Sequence, residues 1–168
     1  VNQKMVKKIK IKWIYHLRRD YRMVKNITND FFNENVYNVK QELSEQSGEL
    51  KFLGKKPVLV DFYATWCGPC RALEPMLEEL SEEYKDKIDI YKVNTETETE
   101  TAVAFGIMGL PTLLFIPMSD KPSISPGAPS KDMLKEMIDE KLLGNTSELK
   151  TQVSKFQQMM NTIKKALT

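Results

Sequence analysis

Apolar and polar residues alternate with two different periods along the middle of the chain, and this predicts strands that alternate with helices. Residues 58–63 form an almost unbroken apolar run, which is typical of a strand covered on both faces of a sheet. Residues 88–94 alternate apolar and polar side chains, as a second strand would. Between them, apolar residues recur at helical spacing from Leu73 to Tyr84. The alternation predicts an α/β fold.

The remaining elements of this body follow from the same patterns. They are a short helix over 102–105, an apolar strand after Pro111, a short strand over 123–125, and a helix from Ser130 to Leu142. Residues 95–101, a repeat of Thr and Glu, predict a helix N-terminus with threonine caps and glutamates at its positive end. Residues 26–50 are polar at first and then carry apolar residues from Val36 onward, which predict an opening strand followed by a short helix that ends near Gly48.

The first part of the chain differs from this body in charge. Residues 1–25 carry nine Lys or Arg and one acid, a net charge of +8, whereas the remainder carries −6. The apolar spacing in this arm fits either a strand or an amphipathic helix. A basic arm of this kind is either a solvated tail, a targeting extension, or a segment that contacts a nucleic acid or a membrane surface.

The last part of the chain predicts an amphipathic helix, because its apolar residues are spaced alternately four and three apart. Its apolar seam either docks on the rest of the chain or pairs with a second copy. We therefore divide the chain into a basic, polar N-terminal extension (1–34), one domain (35–144), and a C-terminal amphipathic helix (145–168).

Composition restricts the function classes. With 168 residues, 41% of them hydrophobic and 29% charged, the chain fits one globular domain with extensions. No apolar run approaches the roughly 20 residues of a membrane-spanning helix, and lysines interrupt every stretch that could form a secretory signal. We predict a cytoplasmic location, or a periplasmic one if a signal peptide has been removed. The only histidine, His16, is far from both cysteines in the sequence, so we predict no metal.

The two cysteines, Cys67 and Cys70, carry the candidate chemistry. They follow directly on the apolar run and begin the next predicted helix. A thiol at a helix N-terminus faces unpaired N–H groups and the positive end of the dipole, which stabilise its thiolate. We predict Cys67 as an exposed nucleophile and Cys70, one turn further and more buried, as the resolving thiol. Gly68 and Pro69 place no titrating group beside the thiolate, which favours a reducing pair.

Residues 66–70, Trp-Cys-Gly-Pro-Cys, resemble the thioredoxin family, and the resemblance covers residues 35–143. The residues that carry it beyond the cysteines are Asp61, Pro75, Lys92, 109–112 and Gly127. The resemblance implies the thioredoxin fold, a central mixed β-sheet flanked by helices. It also implies a thiol–disulfide oxidoreductase that reduces protein disulfides through a mixed-disulfide intermediate.

Two charged residues are expected to support the cysteines. A carboxylate in an apolar strand is costly to bury, so Asp61 should have a raised pKa. The resemblance implies that Asp61 accepts the proton of Cys70 and that Lys92 modulates the charge of Asp61. The alternative is a structural aspartate that is paired with Lys92 and has no catalytic role.

The resemblance also implies a surface that binds client polypeptides around the cysteine pair. Its residues are Trp66, Gly68, Pro69, Gly109, Leu110, Pro111 and Gly127. Trp66 should shield the disulfide, or else belong to the core. Pro111 should be cis, so that the Leu110 backbone can pair with a client strand.

The chain has no dinucleotide or phosphate-binding motif, so we predict no cofactor other than the Cys67–Cys70 disulfide. The expected partners are disulfide-containing clients and an electron donor, either a thioredoxin reductase or a membrane thiol carrier. Two alternatives to a reductase remain. One is an isomerase or oxidase outside the cytoplasm, and the other is an adaptor that recruits partners through its terminal extensions.

Overall fold

The computed structural model describes residues 24–41, 51–119 and 121–144. In this part of the chain a five-stranded sheet has the order β1-β3-β2-β4-β5. Its strands are β1 (Lys25–Asn26), β2 (Val58–Tyr63), β3 (Asp89–Asn94), β4 (Thr112–Ile116) and β5 (Ser123–Pro126). The first three run parallel, β4 is antiparallel to β2, and β5 is antiparallel to β4. The predicted mixed α/β sheet is therefore confirmed.

Helices cover both faces of the sheet. They are α1 (Asn29–Asn35), α2 (Gly68–Glu83), α3 (Thr99–Ala104) and α4 (Lys131–Lys141). Side chains alternate along β2, and Leu59 packs with α2 and α4 whereas Val60 and Phe62 pack with α1 and α3. The apolar run of β2 thus reflects burial on both faces, as predicted.

Several predicted boundaries agree with the structure. Strand β2 has the predicted bounds, and α4 begins after Ser130, whose hydroxyl oxygen accepts a hydrogen bond from the Met133 N–H at 3.3 Å. Helix α3 begins at Thr99, but its N-cap is Glu98, which makes no side-chain capping bond. The predicted threonine caps are therefore wrong for this helix end.

The largest difference from prediction lies before residue 58. The first strand is β1, inside the predicted extension, and Tyr37 makes only an isolated bridge with Phe52 where an opening strand was expected. Helix α1 buries Phe32 completely, with its ring 5.6 Å from that of Phe105. The packed body therefore reaches back to Val24, ahead of the predicted boundary at residues 34 and 35.

Other predictions lie outside the described residues. These are the fold of residues 1–23, the helix end near Gly48, and the C-terminal helix at 145–168. None of the helices in the described ranges is both long enough and apolar enough to cross a bilayer.

Candidate active site

The first cysteine caps the helix that carries the second. Cys67 is the N-cap of α2, with extended backbone angles, and its Sγ accepts a hydrogen bond from the Cys70 N–H at 3.2 Å. Pro69 lies in the first turn, where the missing N–H would have had no intrahelical partner. The prediction that a helix begins at the first cysteine is confirmed.

The two cysteines form a disulfide, with their Cα atoms 5.3 Å apart. Each is only 3% exposed, so the predicted difference in exposure between Cys67 and Cys70 is wrong for this oxidised form. The Cys67 sulfur is bonded to the Cys70 sulfur and also accepts the Cys70 N–H, so it lies against the first turn of α2. Ala64 and the partly buried Tyr63 and Leu110 pack around the pair.

A proline loop borders the disulfide. The Leu110–Pro111 peptide bond is cis, as predicted. The Thr112 hydroxyl donates to the Gly109 carbonyl at 2.7 Å, and the Gly127 N–H donates to the Pro111 carbonyl at 2.8 Å. Gly127 has φ +98°, a conformation that favours glycine. Leu110 packs against the cysteines, so the loop over 109–112 borders the redox pair through this residue.

Asp61 and Lys92 are neighbours in register on β2 and β3. Asp61 is fully buried, and within the described chain neither carboxyl oxygen has a hydrogen-bond partner. Burial raises the pKa of Asp61 to about 7, Lys92 opposes this, and Glu74 adds to it. The Lys92 ammonium group instead pairs with Glu74, with Nζ 3.1 Å from Oε1. A simple Asp61–Lys92 pair is therefore not what the structure contains.

A cavity of about 250 Å³ lies beside the second cysteine and is lined by Lys92 and Glu74, whereas Asp61 does not line it. Its lining residues are Asn26, Tyr63, Ala64, Thr65, Cys70, Arg71, Glu74 and Lys92. Lys92 Nζ lies 4.3 Å from the centroid of the Tyr63 ring, and the Tyr63 hydroxyl donates to Asn26 Oδ1 at 2.9 Å. Cys70 thus shares its cavity with the cation that neighbours Asp61.

A family model described as Thioredoxin matches residues 40–140. The chain is 40% identical over 116 residues to a thioredoxin of Borreliella burgdorferi, covering 69% of this chain and 95% of that protein. The chain belongs to the thioredoxin family. It is also 40% identical over 103 residues to the chloroplastic M-type thioredoxin of Pisum sativum, covering 61% of this chain and 60% of that protein. A Buchnera aphidicola thioredoxin is 43% identical over 102 residues, 60% of this chain and 94% of that protein.

As a member of the thioredoxin family, the protein is a thiol–disulfide oxidoreductase that reduces protein disulfides. Its Cys67–Cys70 pair provides the redox-active disulfide. The family acts on disulfide-containing substrates and takes electrons from a reductase. Within the described residues no group of three or more His, Cys, Asp or Glu side chains is arranged to hold a metal.

Glu96 belongs to this site of the thioredoxin domain but was not predicted from the sequence. The Glu96 carboxylate accepts hydrogen bonds from the Thr65 N–H at 2.9 Å and the Thr65 hydroxyl at 2.8 Å. These two bonds are the main cause that lowers the pKa of Glu96. Glu96 therefore fixes Thr65, two residues before Cys67. Its place inside the Thr–Glu repeat gave no signal, because the contact joins positions 31 residues apart.

Trp66 itself is 70% exposed. The interpretation of Trp66 as a core residue is therefore wrong. Shielding of the disulfide by its ring stays a prediction, since the apolar side chains clustered with the cysteines are Ala64, Tyr63 and Leu110.

Proposed function

We propose that Cys67 is the nucleophile of this protein-disulfide reductase and Cys70 the resolving thiol. The observation that carries the assignment is the N-cap position of Cys67, whose sulfur accepts the Cys70 N–H. In the reduced protein the same N–H and the helix dipole would stabilise negative charge on Cys67. Cys70 lies inside the helix, beside the cavity, and is suited to act second.

The electron balance follows from the exchange chemistry. The Cys67 thiolate attacks one sulfur of the client disulfide, forms a mixed disulfide with it, and releases the other client sulfur as a thiolate, which takes up a proton. Cys70 then loses its proton, and its sulfur attacks Cys67. The bond between Cys67 and the client breaks, and the second client thiolate leaves. The client gains two electrons, and the enzyme ends as the disulfide.

Asp61 is the proposed acceptor of the Cys70 proton. Support comes from its full burial, its unpartnered oxygens among the described residues, and its pKa of about 7, near the working range of a general base. Its register partner Lys92 lines the cavity together with Cys70. Lys92 lowers the pKa of Asp61 and so acts as the proposed modulator.

The proposed client surface consists of Trp66, Gly68, Pro69, Gly109, Leu110, Pro111 and Gly127. Gly68, Pro69 and Gly109 are exposed, and Trp66 presents a large apolar ring to solvent. We propose that an extended client segment pairs with the Leu110 backbone beside the disulfide. Backbone pairing accepts many sequences, which suits an enzyme with varied clients.

The roles of the two cysteines are tested with Cys70→Ser and Cys67→Ser, each incubated with a disulfide-containing client such as insulin. Cys70→Ser should accumulate a covalent client complex that dithiothreitol releases, because the resolving step is lost. Cys67→Ser should form none and should lose turnover. Non-reducing electrophoresis with mass spectrometry identifies the bond. A complex formed through Cys70 in the Cys67→Ser protein would reverse the assignment.

The direction of electron flow is tested by the equilibrium potential of the Cys67–Cys70 couple in a thiol–disulfide buffer series. Gly68 and Pro69 leave the thiolate without a neighbouring titrating group, so we expect a value near −270 mV, typical of thioredoxins. A value near −120 mV, typical of a strong protein-disulfide oxidant, would support the oxidase alternative.

The donor and the compartment follow from this reducing assignment. We propose a thioredoxin reductase, or otherwise a membrane thiol carrier, as the electron donor. We propose the cytoplasm as the location, because compartments that keep thiols reduced are where a reductase of this kind is recycled.

A further inference from the structure

One acidic side chain of the cavity has no part in the mechanism above. Glu74 lies on α2, one turn beyond Cys70, and its carboxylate pairs with the Lys92 ammonium group at 3.1 Å. The Lys92 side chain is 7% exposed and that of Glu74 is 36% exposed. The pair therefore joins a buried cation to a carboxylate at the edge of the cavity. A buried ammonium group is strongly destabilised unless a counter-charge is within reach.

A second carboxylate is available to the same cation. Asp61 is the register partner of Lys92 in the neighbouring strand, and its two oxygens have no hydrogen-bond partner among the described residues. The structure nevertheless orients Lys92 toward Glu74, with the Tyr63 ring 4.3 Å from the ammonium nitrogen. Glu74 and Tyr63 thus contact the Lys92 ammonium group, which Asp61 would otherwise attract.

We propose that Glu74 is a positioning residue, which holds the Lys92 ammonium group at the cavity edge and so keeps Asp61 the proton acceptor of Cys70. The inference rests on the role of Asp61 proposed above. Glu74 does not touch the reacting sulfurs in this scheme, and it acts only through Lys92 and through its own charge.

The charges around Asp61 explain why Glu74 matters. Lys92 is its register partner on β3, and Glu74 of α2 is the other charge that acts on it. Cys70 and Arg71 of α2 and Tyr63 of β2 line the cavity that Lys92 and Glu74 share. Burial is the main cause of the raised pKa of Asp61, Lys92 lowers that pKa, and Glu74 raises it. Because the charges of Lys92 and Glu74 act in opposite directions, burial determines the net direction in which the pKa of Asp61 shifts. Without the Glu74 charge, one raising influence disappears and Lys92 is released toward Asp61.

The test is a Glu74→Gln substitution in the full chain. The carboxyl ¹³C shift of Asp61, followed by NMR from pH 4 to 9 in the oxidised protein, gives its titration midpoint without any assay of activity. We expect the midpoint to fall by about one pH unit or more, as for a carboxyl group that gains a nearby cation. The rate of the resolving step, measured as client release from a preformed mixed disulfide, should shift its pH midpoint in the same direction.

The matched control is Glu79→Gln, which removes a glutamate of the same helix and its ion pair with Lys131. It should leave the Asp61 midpoint within about 0.2 pH units, since Glu79 is not among the charges that act on Asp61. Glu74→Asp, which keeps the charge, should lower the Asp61 midpoint less than Glu74→Gln does. In a Lys92→Met background the Glu74→Gln shift should be less than half as large.

Each outcome decides a different claim. An unmoved Asp61 midpoint in Glu74→Gln overturns the role of Glu74. Equal shifts with and without Lys92 overturn its action through the lysine. A midpoint that moves while the resolving-step profile stays unchanged overturns the proton-acceptor role of Asp61, on which the inference rests.

Discussion

The two sulfurs of the redox pair are equally buried, yet their surroundings differ. Beside Cys67 lie the exposed Trp66 and the proline loop, whereas Cys70 borders a cavity in which the buried Lys92 pairs with the partly exposed Glu74. The comparison teaches that exposure does not separate the two thiols in the oxidised protein. What separates them is the helix terminus on one side and buried charge on the other.

On the Cys70 side, the largest expected effect is that of Asp61→Asn on the free energy of unfolding. The pKa of Asp61 rises on folding from its usual 3.8 to about 7, so the folded protein binds a proton that the unfolded chain releases. Stability therefore falls as pH rises from about 4 to about 7 and stays low above that. Removing the ionisable group should raise the free energy of unfolding by roughly 4 kcal/mol at pH 8 and by little at pH 4.

Urea unfolding of the oxidised protein at both pH values measures this change. Asp86→Asn, an exposed aspartate after α2, is the control and should stay within about 0.5 kcal/mol at both. If Asp61→Asn stabilises the protein equally at pH 4 and pH 8, the stabilisation does not come from removing the buried negative charge of Asp61. In the same variant the resolving step should slow, because the proposed proton acceptor is gone.

On the Cys67 side, Glu96→Ala is expected to have a smaller effect, on the rate of client reduction. This change removes the two hydrogen bonds that fix Thr65 ahead of the nucleophile. We expect kcat/KM for client reduction to fall by roughly threefold to tenfold, the loss typical of one or two hydrogen bonds. The Asp61 titration should not move, because Glu96 is not among the charges that act on it.

Glu100→Ala is the matched control for this change. It removes a glutamate of the same Thr–Glu repeat that pairs with Lys40, away from the cysteines. If both variants reduce kcat/KM equally, the anchoring role of Glu96 is wrong and the repeat acts only through its overall charge.

Sequence patterns were most informative where one local cause fixes the structure. Strand β2 is buried on both faces, so its apolar run gave its bounds, and Ser130 marked a helix start through its capping hydroxyl. Asp61 stood out because a carboxylate in such a run is costly to bury. The cis Pro111 came from the family resemblance alone.

The missed features depend on contacts between distant segments. Residues 24–35 are mostly polar and place only four apolar side chains without a regular period, and β1 pairs through only two residues. Asn29 accepts hydrogen bonds from the N–H and hydroxyl of Thr101, 72 residues away. Glu74 and Glu96 each resemble an ordinary surface glutamate in the sequence. Their roles arise only when the fold brings Lys92 and Thr65 beside them.

The margins of the sheet have a consequence for a protein that handles extended polypeptides. In the described part of the chain β1 contributes two residues to one margin and β5 four to the other, the last of them Pro126, which has no N–H to donate. Short margins of this kind offer few unpaired backbone groups as a template for foreign strands. The two margins that the structure describes are therefore poor templates for edge-to-edge pairing with the polypeptides that a disulfide reductase meets.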